Sequence, residues 1–145
     1  MATVKWATPA SETTPLTTQL NSLADATAAS ASSAIDNETN LNRFLSLELT
    51  LATQGGARSS GAYVTVHILY SSDGTNFSDS TSGPLDACQV VVFPLDAATT
   101  ARIVTISGIP IQPLQFKLLL TNQTGQAFAA ANNILTARTY NESVA

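Results

Sequence analysis

One stretch, Phe44 to Phe77, constrains the fold more than any other: FLSLELTLATQGGARSSGAYVTVHILYSSDGTNF. Leu45, Leu47, Leu49 and Leu51 fall on one side of an extended chain, and Phe44, Ser46, Glu48 and Thr50 on the other. Further on, Val64, Val66, Ile68 and Tyr70 share a side, opposite Tyr63, Thr65, His67 and Leu69. Alternation with period two predicts two long, half-buried strands facing each other. The loop between them, Thr53 to Gly61, has three glycines and small polar residues. Its own side chains are not expected to hold it, so a partner or the crowded rim of a sheet must order it. Asp73-Gly74 supplies the positive φ angles of a turn at the far end.

Shorter signals surround this pair. Leu16, Leu20 and Leu23 have helical spacing, with Thr14 as N-cap and Pro15 at the first helical position, so one short helix is expected over residues 15–25. A strand is expected near Thr27 to Ile35, another at Leu85 to Phe93, and a third at Arg102 to Ser107. The third is apolar on both sides, as for a strand near the middle of a sandwich. GIPIQP, Gly108 to Pro113, reads as a rigid apolar crossover: either an exposed sticky patch or a lid on the bottom of the sandwich. Leu114 to Thr121 and Asn133 to Tyr140 complete the set. Seven or eight strands with little helix predict an all-β, single-domain antiparallel β-sandwich, with the jelly roll as the nearest named architecture. Residues 1–15 read as an extended N-terminal arm and 16–145 as the sandwich domain. Trp6, the only tryptophan, is expected to tack the arm onto the body, with anchoring in a neighbouring subunit as the alternative.

Chemistry is thinly represented. The one cysteine excludes an internal disulfide, and the one histidine makes a His-rich metal site untenable. His67 lies mid-strand without a nucleophile elbow, and Asp73, Asp79 and Asp86 have no fixed spacing. Cys88 sits in an apolar run with no adjacent base to activate it. No enzyme activity, cofactor or metal is expected. Six scattered basic residues and a net charge of −4 argue against nucleic-acid binding. No apolar run is long enough for a transmembrane helix, and the N-terminus lacks the apolar core of a secretory signal, so no membrane association and synthesis in a cytoplasm are expected. Only 11% of residues are charged, against about 25% in a typical soluble protein. Such a surface sheds few ions on docking and suits extensive protein contact.

Several motifs recur together: SLAD…AIDN…N before the first long strand, YSSDGTNF after the second, PLQFKLLLTNQTGQAF later, and a closing TYNES. Across Leu16 to Ala145 the chain resembles small virion structural proteins of tailed bacteriophages. The resemblance implies a decoration, or cement, protein on the outside of the head, which clamps neighbouring major capsid protein subunits. Partners implied are the major capsid protein and further copies of the chain itself, as a dimer or trimer. A tail, neck or other minor virion subunit is the second reading, and a carbohydrate- or receptor-binding β-module the third. An aromatic platform would favour the last, but Trp6, Tyr63, Tyr70 and Tyr140 do not cluster in sequence. Expected subunit contacts are Trp6 on the arm and Gln54, Gly55, Gly56, Arg58 and Ser60 in the glycine-rich loop.

Overall fold

The computed structural model describes residues 2–78 and 89–144. Ten strands follow one another: β1 (Val4–Trp6), β2 (Thr13–Leu16), β3 (Ala28–Ser30), β4 (Phe44–Leu51), β5 (Tyr63–Ser71), β6 (Gln89–Pro94), β7 (Arg102–Pro110), β8 (Gln115–Gln123), β9 (Ile134–Tyr140) and β10 (Glu142–Val144). Eight of them build two four-stranded antiparallel sheets, ordered β2-β9-β4-β7 and β3-β8-β5-β6, and β1 pairs with β10 in a separate ribbon. The chain is therefore an all-β antiparallel sandwich. Each strand pairs with the one equally far from the opposite end: β1 with β10, β2 with β9, β3 with β8, β4 with β7 and β5 with β6. The topology is that of one long hairpin rolled into two layers, closed by β4 against β9 and β5 against β8.

The two long strands of the opening stretch sit in different sheets and face each other across the core. Leu45, Leu47, Leu49 and Leu51 of β4 meet Val64, Val66 and Ile68 of β5 within one buried cluster that also takes in Phe93, Phe116, Leu118, Leu120 and Leu135. Burying a Leu- or Phe-sized side chain contributes about 1.5–3 kcal/mol. This shared apolar layer is what fixes register, because a one-residue slip would turn every leucine of β4 to water.

Three local expectations are corrected. No helix forms over residues 15–25. Leu16 is in β2 opposite Leu135, and Leu20 ends a single 3-10 turn, Thr18–Leu20. Both leucines are fully buried, and positive φ angles at Ser22 and Ala26 steer the chain from one sheet to the other. The helical spacing thus reflects two leucines reaching one core from a crossover. The strand after Arg102 is not central: β7 lies at a sheet edge, and Ile103 is 67% exposed. GIPIQP does not end the strand at Ser107. β7 runs on to Pro110 past a register shift against β4, with Gly108 at φ 75°. Ile109 and Ile111 join the core, so the segment closes the sandwich. The strand expected at Leu85 to Phe93 is seen from Gln89, and Asp79, Asp86 and Cys88 lie outside the described residues.

The segment expected as an arm lies along the body. Val4, Lys5 and Trp6 pair with Val144, Ser143 and Glu142, and Ala7 and Ala10 donate backbone N–H groups to Asn141 O and Thr139 O. Thr13 and Leu16 then enter the sheet against β9.

Candidate functional site

The motifs behind the phage resemblance act as fasteners. In AIDN, Asp36 accepts from the backbone N–H of Glu38 and Thr39, and buried Asn37 donates to Asn42 O and Gln112 O. In SSDG, Asp73 accepts from the N–H groups of Thr75 and Asn76 and from the Ser71 hydroxyl, an Asx turn that lets Gly74 take φ 71°. Those bonds hold the Asp73 carboxyl well below the usual carboxylate range. In NQTGQAF, buried Asn122 donates to Leu23 O and Gln126 O and accepts from Thr124. Each motif satisfies backbone groups where the chain turns between layers. None forms a reactive pair.

The glycine-rich loop is held against neighbouring segments at the rim of the sandwich, one of the two expected alternatives, but the side chains that fasten it there are its own Arg58 and Gln54. Arg58 has its guanidinium entirely removed from solvent. Its Nε donates to Asp96 O at 2.9 Å, Nη1 to Gln54 Oε1 at 2.7 Å, and Nη2 to Asp96 Oδ1 at 2.6 Å and Thr100 O at 3.1 Å. Gln54 in turn donates to Ala127 O at 3.1 Å. Burial lowers the Arg58 pKa from its ordinary value. A planar fork with several donors suits this cage in a way a lysine would not. Gln54 and Arg58 are buried, whereas Gly55 and Ser60 are exposed and Gly56 is half-buried. A Cβ on Gly56 would come within 2.7 Å of Gln126 Oε1, so the loop lies tightly on its neighbour.

His67 is mostly buried on the outward side of the β3-β8-β5-β6 sheet, between Val90 and Leu119. Its Nδ1 has no hydrogen-bond partner among the described residues, and burial lowers its pKa. No group of three or more His, Cys, Asp or Glu side chains among the described residues is placed to hold a metal. No helix among them is long and apolar enough to cross a membrane.

The two outer faces differ. Strands β3, β8, β5 and β6 carry one charged side chain, Lys117, whose ammonium lies 4.6 Å from the Phe77 ring centre. Tyr63, Val90 and Val92 are exposed on this sheet, and Val90 and Val92 sit on β6, its edge strand. The other sheet carries Glu48, Arg102 and Arg138 on its strands. Its outward face also holds an aromatic trio. Trp6, 63% exposed, packs edge-on to Phe44 and Tyr140, with ring centroids 5.9 and 5.5 Å away. Phe44 and Tyr140 stack at 5.5 Å, and the Tyr140 hydroxyl accepts from Gly108 N at 2.7 Å. A cleft of about 480 Å³ opens beside this trio, lined by Trp6, Tyr140, Ser46, Ser107 and Arg138. A smaller one of about 160 Å³ continues it along the sheet between Glu12, Glu48, Thr105 and Thr136, sharing Ser46 and Arg138.

Of the six expected contact residues, then, Trp6 joins an aromatic trio on its own chain, Gln54 and Arg58 face inward, and Gly55, Gly56 and Ser60 form the loop surface. The trio was not visible in the sequence, because Trp6 and Tyr140 come from opposite ends of the chain. The pairing that joins them sets VKW near one end of the chain against ESV near the other, and nothing local in either segment announces it.

Neither a protein-family model nor a curated protein sequence matches this chain. Among solved structures, a chain from the structure of infectious bursal disease virus Gt strain aligns at 16% identity and a TM-score of 0.17, over 99% of this chain and 42% of that one. This chain thus spans less than half of that neighbour, and a superposition this loose carries no argument.

Proposed function

We propose that this chain is a non-enzymatic structural subunit of a tailed-phage particle, a decoration or cement protein bound outside the head. It holds neighbouring major capsid protein subunits together and associates with further copies of itself, as a dimer or trimer. The nested strand pairing is read as a jelly roll, a compact two-layer wedge suited to transmitting load. The observation that carries the proposal is the pair of exposed valines, Val90 and Val92, on β6, an edge strand among the described residues, beside an outer face whose centre, Leu69 and Leu119, is buried.

Natural proteins usually blunt such an edge with charge or irregularity. Along β6 only the terminal Pro94 does so, and Gln89-Val90-Val91-Val92-Phe93 carries no charge. Left bare, it invites strand addition or apolar docking. Docked on a shell it strips few ions of water and gains apolar contact. The motif resemblance across residues 16–145 supplies the particle. Purified chain added to expanded heads that lack it should sediment with them and raise the temperature at which they release DNA. Replacing Val90 and Val92 with lysine should abolish sedimentation while the sandwich stays folded. Binding to tails and not to heads would instead support a tail or neck subunit.

A further inference from the structure

We infer that the double cleft on the outer face of the β2-β9-β4-β7 sheet is a binding site for a neutral saccharide chain. The inference does not depend on whether the subunit belongs to the head or the tail, since it concerns the face opposite to the one assigned to docking.

The aromatic end comes first. Trp6 is the largest exposed aromatic of the chain and its position is fixed by neighbours: Phe44 and Tyr140 pack on it, and the Trp6–Glu142 pairing holds its backbone. Tyr140 is fixed in turn, because its hydroxyl is tied to Gly108 N and its ring stacks on Phe44. Rigid rings with an apolar face and a polar edge suit a sugar, whose C–H face packs on the ring while its hydroxyls stay hydrogen-bonded. Holding them in place beforehand lowers the ordering cost of binding.

Polar groups line the continuation. Arg138 is common to both clefts and donates to Glu12 Oε2 at 3.3 Å. Glu48 accepts from the Thr105 hydroxyl at 2.9 Å, leaving its other carboxylate oxygen open. The Arg138 guanidinium, the two carboxylates and the Ser46, Thr105 and Thr136 hydroxyls together offer adjacent donors and acceptors, the pattern a pair of neighbouring hydroxyls demands. Aromatic walls with a few convergent polar groups are typical of small-ligand sites, and about 480 Å³ is within their size range. From Thr136 to Tyr140 the strand advances about 13 Å, so more than one sugar ring is accommodated.

Charge selects the class. Two carboxylates, Glu12 and Glu48, face one guanidinium that is already paired. A sulfated, phosphorylated or uronic-acid chain would meet repulsion there, whereas a neutral chain meets none. An apolar ligand or a bare hydrophobic peptide would bury Glu48, Thr105 and Thr136 without partners.

The test uses the whole chain on a printed array of neutral and acidic oligosaccharides, followed by titration of the neutral hits. Trp6 is the sole tryptophan, so its emission reports directly on the cleft. The expected result is binding to one or more neutral chains, with a shift in Trp6 emission and in the amide resonances of Ser46, Ser107 and residues 136–140. Trp6→Ala should weaken binding about tenfold or more, and Glu48→Gln should weaken it without changing the thermal unfolding midpoint. The inference is overturned if no neutral glycan binds, if only acidic glycans bind, or if binding is indifferent to Trp6→Ala. It is equally overturned if the cleft is the seam of a dimer, seen in ultracentrifugation as self-association lost in Trp6→Ala. Loss of head binding in the Val90/Val92 lysine variant with glycan binding intact would separate the two sites.

Discussion

Arg58 donates to Asp96 across 2.6 Å from a guanidinium that no water reaches, while the same carboxylate also receives Arg102 from the surface. The pair ties the glycine-rich loop between β4 and β5 to the segment between β6 and β7, so one side chain fastens two crossings of the sandwich. Removing one partner of a buried, hydrogen-bonded charge typically costs about 3–5 kcal/mol, and here two carbonyls and the Gln54 amide oxygen lose a donor as well. Asp96 keeps Arg102 and part of its solvent, which moderates the loss. Arg58→Ala should therefore lower unfolding free energy by about 3 kcal/mol, read by urea denaturation. Arg58→Lys should recover little of it, since an ammonium cannot reach four acceptors in one plane.

His67 gives the chain a pH response near neutrality. Burial lowers its pKa below the ordinary 6.5, so the unfolded chain takes up a proton before the folded one does. The sign follows: stability is fully present above about 6.5 and declines as pH falls below it toward the folded value. As the only histidine, it is the sole side chain with an ordinary pKa in this window. Unfolding curves at pH 7.5 and pH 5.5 should differ in the wild type and coincide more closely in His67→Gln. A wild-type protein more stable at the lower pH would contradict the burial of the imidazole.

Asp73 acts lower down the pH scale. Its carboxylate accepts four hydrogen bonds in the turn after β5, from the backbone N–H groups of Asn76 and Thr75, the Asn76 side-chain amide and the Ser71 hydroxyl, which depress its folded pKa. A depressed carboxylate contributes stability above its unfolded pKa, and that contribution is lost as pH falls from about 3.9 through the folded value. Asp73→Asn should be less stable than wild type at pH 6, and the gap should narrow below pH 4. A gap independent of pH would mean that turn geometry, not charge, sets the effect.

Residues 1–11 should be dispensable for folding. All strands of both four-stranded sheets lie between Thr13 and Tyr140. Deleting 1–11 removes the β1-β10 ribbon and the Trp6 contacts, each aromatic pair being worth about 0.5–1.5 kcal/mol. The truncated chain should retain its β-type circular dichroism and a cooperative melt at modestly lower temperature. Collapse of the fold would show that the ribbon is integral to the sandwich.

How much of this was legible depends on the range over which each residue's partner lies. The alternation of β4 and β5 is local, and Leu45 to Leu51 are buried as their spacing predicts. β9 was equally plain, with Leu135 and Ala137 inward and Arg138 and Tyr140 among the outward set. Misreadings arose where a residue type is ambiguous. Leu16 and Leu20 fit a helix or a crossover equally well, and only the need to pass between layers decides. Ile103 looked central because edge strands are normally blunted, yet β7 is an apolar edge. Arg58 looked like a loop-surface charge, since its acceptors at Asp96 and Thr100 lie in another crossing of the chain. The cleft was out of reach for the same reason, because it exists only once β1 and β10 bring Trp6 beside Tyr140.

The proposed role is tested most directly by electron cryomicroscopy of the intact particle with the chain in place. The expected result is density for the sandwich on the outside of the head, bridging neighbouring major capsid subunits, with the β6 edge toward the shell and the Trp6 cleft toward solvent. Density confined to the tail or neck, or a head-bound sandwich resting on its Trp6 face, would contradict it.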